Sequence, residues 1–280
     1  MASVALEAGV AAAKQKVRRR RQLVIALRIA FGVTMLGSWE LLSRTKTIDP
    51  FFFGRPSEIG QKIWSWATVG SPDGSLWADI WITVQEALLG FGIGVLAGVI
   101  FGLALGRIRL LSDVLGPYIK AANSIPRVVL GSIFIIWLGL GLPSKVALAF
   151  VLVFFVVFFN AFQGVREVNE DVIANARILG AGRRQVTTQV VLPSALTWII
   201  ASLHTSFGFA LVGAVVGEFI GSIHGLGHLI SFSQGTFDTN GVFAAMFILA
   251  VIALGAEFLI TTLENRLITW RPARRDEIAL

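Results

Sequence analysis

Six stretches of this chain, residues 23–42, 79–106, 115–140, 145–161, 195–220 and 242–263, are each almost wholly apolar. Each reaches the roughly 17 to 25 residues that a helix needs to cross a bilayer. In hydrocarbon every backbone N–H and C=O must find its partner inside the segment, which a helix does and an open strand does not. The fold class expected is therefore an all-α membrane protein with six transmembrane helices. The composition agrees: of 280 residues, 55% are hydrophobic and 15% charged, too apolar for an ordinary soluble domain. The chain contains no cysteine, so it offers neither a disulfide framework nor a thiolate metal site. The first stretch is too long for the core of a signal peptide and lacks a small-residue cleavage site, so it reads as a mature helix.

The net charge of +7 would suggest nucleic acid in a soluble protein, but here the position of each cation matters more. With the N-terminus inside, sixteen basic residues fall in the inner segments, among them Lys14, Lys16, Arg18–Arg21, Arg107, Arg109, Arg271 and Arg275; five (Arg44, Lys46, Arg55, Lys62 and Lys145) fall outside. The positive-inside rule then places both termini in the cytoplasm. The expected organisation is a basic cytoplasmic tail (1–22), a first span with an extracytoplasmic loop (23–78), a core of the remaining spans (79–265) containing the polar loop 164–194, and a second cytoplasmic tail (266–280). The tail reads either as disordered or as an anchor on anionic lipid. The loop carries Phe51–Phe53, Trp64, Trp66 and Trp77, an interfacial aromatic belt with a short amphipathic helix over residues 56–66.

Residues 164–194 are the polar exception between two spans. Asn169 can cap a helix, with Glu170 and Asp171 in its first turn, where the backbone dipole favours negative charge. Helical patterning over 172–179 breaks at Gly180-Ala181-Gly182. A second run begins near Arg183 and carries Val186 and Val190 on one face. Pro193 marks the next segment. This is a helix, a glycine turn and a helix on the inner side of the membrane.

At these residues the chain resembles the membrane subunits of binding-protein-dependent ABC importers. Their cytoplasmic signature, Glu-Ala-Ala, three residues, Gly, nine residues, Ile, one residue, Leu-Pro, is matched in spacing by Ala174-Asn175-Ala176, Gly180, Val190 and Leu192-Pro193. Ala174 and Asn175 replace the Glu and the first Ala. The flanking segments SIPRVVLGSIFIIWLGLGLPSK and GFALVGAVVGEFIG, with GLGHLI, are similar to the nitrate, sulfonate, taurine and bicarbonate branch. The resemblance implies a permease subunit in a bacterial inner membrane, surrounded by lipid. It would work with a second copy of itself, two ATP-binding subunits and an extracytoplasmic substrate-binding protein. Ala174, Asn175, Ala176, Arg177, Gly180, Arg183, Val190, Leu192 and Pro193 would then couple it to the ATPase. Arg183 and Arg184 read equally as docking charges or as a solvated face.

Among the spans, 79–106 places glycine at 90, 94, 98, 102 and 106, a stripe for close helix packing. Residues 115–140 are interrupted by Lys120, Asn123, Ser124, Pro126 and Arg127. Pro126 should kink or break the helix. The cluster reads as a cytoplasm-proximal bend facing water or protein, with substrate binding as the second reading. Residues 145–161 are apolar on every side, so they should be surrounded. Residues 195–220 carry Ser202, His204, Ser206 and Glu218 along a face of small residues, a candidate translocation pathway; His204 is read either as a pathway group or as a hydrogen-bonded interior residue. Residues 222–241 read as a short re-entrant or surface helix. His224 and His228 there have metal-ligand spacing, but Gly225 and Gly227 weaken the helix and no third ligand is adjacent, so no metal site is expected.

No phosphate loop, serine elbow or pair of membrane carboxylates occurs, so the chain is not expected to be an enzyme or to need a cofactor. No nucleic-acid partner is expected. The function expected is an ATP-driven importer permease for a small anion of the nitrate, sulfonate, taurine or bicarbonate type. The alternative is an ion-coupled secondary transporter using His204 and Glu218.

Overall fold

The structure is a computed structural model that describes residues 2–72, 74–168 and 170–267, with side chains from 15 to 266. Asn169, expected to cap a helix, and most of the 266–280 tail lie outside the described residues. Among the described residues there is no named strand. The helices are α1 (Ala2–Arg44), α2 (Pro50–Phe53), α3 (Pro56–Thr68), α4 (Leu76–Arg107), α5 (Arg109–Asn123), α6 (Val129–Leu138), α7 (Leu142–Arg166), α8 (Glu170–Ile178), α9 (Arg183–Val186), α10 (Leu192–Gly221), α11 (Leu226–Gly235) and α12 (Thr239–Leu267). A π-helical turn, Thr187–Val191, joins α9 to α10.

The described residues divide into two units, one up to residue 60 and one of residues 61–267. In the first, α1 runs without a break through the basic cluster into the expected first span. The expected tail over 1–22 is thus not separate from the span. Its Ala, Glu, Gln, Lys and Arg are good helix formers, and no Pro interrupts them. Asp49 caps α2, its Oδ1 accepting from the Phe51 N–H at 2.9 Å. The expected amphipathic helix is α3, with Trp64 exposed and Trp66 buried.

The second unit is built on α7. The glycine stripe of α4 lies against it. A Cβ on Gly90, Gly94, Gly98, Gly102 or Gly106 would fall within 3 Å of Ala149, Val153, Val157, Ala161 or Val165 respectively. Both series advance by four, so α4 and α7 run parallel and in register. Each step of four overshoots a turn by roughly 40°, and the contact persists over four steps because the two helices wrap about one another. α7 also meets α10, in antiparallel sense: Gly217 packs on Lys145, Gly213 on Ala149 and Gly164 on Ala195. The helix expected to be surrounded is the centre of the bundle.

Parallel neighbours need a return crossing between them, and α5 and α6 supply it. They are bent by 97° at the break around Pro126 and count together as one span, giving six with α1, α4, α7, α10 and α12. The sequence puts this bend near the coupling-loop end. In the structure Arg127 instead stands over Phe155, beside the midpoint of α7, because α5 climbs alongside α7 before breaking.

Candidate functional site: the coupling loop and the bundle interior

The loop after α7 folds as its sequence implies, with one difference. α8 ends in a Schellman turn: the Ala181 N–H donates to the Ala176 carbonyl and the Gly180 N–H to the Arg177 carbonyl, both at 2.9 Å. Gly180 takes φ +87°, which a Cβ disfavours, although no atom lies within 4 Å of where that Cβ would be. Gly182 precedes α9, and its N–H donates to Gln185 Oε1 at 2.9 Å. The second helix does not stop before Pro193. It passes through the π turn, where the Leu192 N–H reaches the Thr187 carbonyl five residues back, and continues as α10. Pro193 has no N–H to donate and its ring crowds the carbonyl four residues earlier, so the wider turn accommodates it.

Ala174, Asn175, Arg177, Gly180, Arg183 and Arg184 are exposed, Ala176 and Val190 half-buried, and Val186 buried. Leu192 is exposed and Pro193 half-buried. The Arg107 guanidinium, at the end of α4, donates to Thr187 Oγ1 at 2.8 Å. The loop is thus fastened to two spans. Its tip carries Ile178 and Leu179, 81% and 87% exposed. Sequence reasoning passed over this pair; its signal was two large apolar residues directly before the glycine turn.

Within the bundle, the pathway candidates separate into different surroundings. Ser202 and Ser206 are buried, their hydroxyls donating to the Ile199 and Ser202 carbonyls of their own helix at 2.6 and 2.7 Å. His204 joins α10 to α12 through Nδ1 to Glu257 Oε1 at 2.8 Å and Nε2 to Glu264 Oε2 at 3.0 Å. Glu218 is fully buried near the other end of α10. Its Oε1 accepts from the Thr83 hydroxyl at 2.7 Å and its Oε2 from the Gly227 N–H at 2.6 Å. Thr83 Oγ1 accepts from the Leu226 N–H at 2.9 Å, and Asp79 Oδ1 from the Gly225 N–H at 3.0 Å. These carboxylates pin the turn that leads into α11. Gly225 (φ +101°) leaves no room for a side chain, since a Cβ there would overlap the Glu218 carboxylate.

Glu86 and Lys145 are buried in the same region, the Lys145 ammonium donating to the Leu140 carbonyl. None of Asp79, Thr83, Glu86 or Lys145 was singled out from sequence as a partner of Glu218. His224 and His228 do not share a helix, because α11 begins only at Leu226. Among the described residues no group of three His, Asp or Glu is placed to hold a metal.

Six candidate spans, five of them in the second unit with a polar helix-turn-helix loop at the end of α7, define a multi-pass membrane protein. Residues 94–269 match the family described as binding-protein-dependent transport system inner membrane component, and the chain belongs to that family. It is similar to the riboflavin transport system permease protein RibX of Chloroflexus aurantiacus, with 34% identity over 84% of this chain and 87% of that protein. It is also similar to the putative aliphatic sulfonates transport permease protein SsuC of Bacillus subtilis, with 32% identity over 71% and 72%. Among solved structures, an amino acid ABC transporter shares the fold at 20% identity and TM-score 0.56, over 68% of this chain and 92% of that one. The chain is therefore an inner-membrane permease subunit of the ABC importer class.

Proposed function

We propose that this chain forms the translocation path of an ATP-driven importer for a small organic anion, coupled to a separate ATPase through residues 164–194. The observation that carries the reading is the tip of α8. Ile178 and Leu179 are exposed apolar residues on a loop fixed by its Schellman turn and by Arg107. Such a surface is suited to a groove in a partner. Arg177, Arg183 and Arg184 lie beside it, and Ala174 supplies no acidic contact. A push on a stiff loop that continues into α10 moves that span directly, which suits a switch between two packed arrangements. The assembly holds two copies of this chain, two ATP-binding subunits and an extracytoplasmic substrate-binding protein, with both termini and the loop in the cytoplasm on the distribution of basic residues.

The sulfonate named for one relative supports an anion, while the riboflavin named for another marks a neutral heterocycle as the competing solute. The test is uptake by membrane vesicles holding the complete assembly, with ATP supplied or withheld. Uptake that requires ATP and stops when the ATP-binding subunit is omitted is the expected result. Uptake driven by a pH gradient without ATP would instead favour the ion-coupled carrier. Against that carrier, His204 and Glu218 bond to different neighbours, fourteen residues and so about 21 Å apart along the helix axis.

A further inference from the structure

The break between α5 and α6 brings cations to a depth where lipid does not hold them. Arg127 stands over the Phe155 ring, 5.3 Å from its centroid, and Phe155 lies beside the midpoint of α7. Its guanidinium donates to Asn123 Oδ1. Among the described residues no carboxylate forms an ion pair with Arg127 or with Lys120. Lys120, seven residues earlier and in the last turn of α5, is exposed and lines a cavity of about 560 Å³ between α5 and α7. Arg166 lines the same cavity from α7, donating to Ser112 Oγ at 3.0 Å, and Asp113 is the acidic group on its wall. Charged side chains at such depth face a bundle interior or a water-filled cavity, and they mark paths for charged cargo.

We propose that Lys120, Asn123 and Arg127 form an anion-binding station on the solute's path, taking the sulfonate or carboxylate head of a small organic anion. The proposal rests on the importer reading and deepens it by naming the residues and the charge they select. A guanidinium fork matches a planar or trigonal oxyanion, and the ammonium of Lys120 at the end of α5 adds a second positive charge. A phospholipid phosphate fits poorly, because headgroups sit at the interface and Arg127 sits near the middle. The other occupant to exclude is a carboxylate of a second copy closing over the break.

The absence of native cysteine makes the site directly testable. Ser124 is exposed at the break, its hydroxyl donating only locally, to the Lys120 carbonyl at 2.9 Å. Ser124→Cys in the complete assembly, in nanodiscs of neutral lipid open on both faces, is treated with an anionic and a cationic methanethiosulfonate. Each rate is normalised to that reagent's rate with a free thiol.

The expected result is modification about tenfold or more faster by the anionic reagent, the scale of electrostatic focusing in a cleft of one sign. Methanesulfonate should slow it, and Arg127→Gln should abolish the preference. Equal rates, a faster cationic reagent, or no reaction with either in the folded assembly would overturn the proposal, the last by showing the break closed to water. If Arg127→Gln does not reach the membrane, Lys120→Gln in the same background gives the comparison. Co-purification of the ATP-binding subunit with the Ser124→Cys chain is scored separately, so failure of the importer reading shows there and not in the rate ratio.

Discussion

At Gly180 a single backbone angle carries the shape of the coupling loop. A β-branched residue at φ +87° is strained by about 1–3 kcal/mol, yet it would strike nothing, since the space around the missing Cβ is open. Gly180→Val is therefore expected to insert and fold at near-normal abundance while the tip at Ile178 and Leu179 points elsewhere. The ATP-binding subunit should co-purify poorly and uptake should fall several-fold; full uptake at normal abundance would remove the loop from the mechanism. Thr83 gives the opposite kind of prediction. Its hydroxyl both donates to Glu218 and accepts from Leu226, so Thr83→Val leaves buried polar groups unpaired at a cost of about 1–3 kcal/mol. A lower melting temperature in detergent, with the ATP-binding subunit still bound, is the expected reading. Gly180 was legible in the sequence because a positive φ leaves a residue-type signature. The partners of Glu218 were not, because Thr83 is 135 residues away and nothing local points to it.

Among the elements, the parallel pair α4 and α7 offers the sharpest contrast. A Cβ on Gly98 would lie 2.8 Å from Val157 Cβ and 3.0 Å from the Phe154 carbonyl oxygen, whereas one on Gly92 would meet nothing within 4 Å. Gly98→Ala should therefore destabilise the bundle by about 1–3 kcal/mol through overpacking. Gly92→Ala should be neutral or stabilising by up to about 1 kcal/mol through helix propensity. Thermal melts of the two variants side by side check this, and equal effects would mean that α4 is not seated on α7 through the stripe. The stripe was visible in the sequence, since glycine at every fourth position of a span bares a strip of backbone that suits close helix packing. That α4 and α7 run parallel was not, because it depends on how the intervening span returns. Pro126 announced a break there, but the 97° angle follows from the lie of α6 against α7 and α10, where Gly131 sits under Leu148 and Ile220. The unbroken α1 was missed for a related reason: a run of like charge reads as a solvated tail, although Lys, Arg and Gln are good helix formers and no Pro interrupts them.

For the whole molecule, a membrane imposes a condition that one chain leaves unmet. Glu257 bonds to His204 but its side chain remains 53% exposed, ten residues before the end of α12 and so about 15 Å along the axis from that end. A carboxylate at that depth is not stable against lipid tails, so this face of α10 and α12 is covered or wetted in the working assembly. In the proposed assembly each of two ATP-binding subunits would take one such loop, and this chain carries one. Both considerations point to a second copy, with the His204 and Glu257 face turned inward toward the partner or the path. Native mass measurement of the assembly released from nanodiscs should accordingly give two copies of this chain for every two ATP-binding subunits. Glu257→Gln should keep that stoichiometry, because the amide can still accept from His204. One copy of this chain with two ATP-binding subunits would refute the symmetric arrangement, and would require a different membrane subunit to supply the second loop.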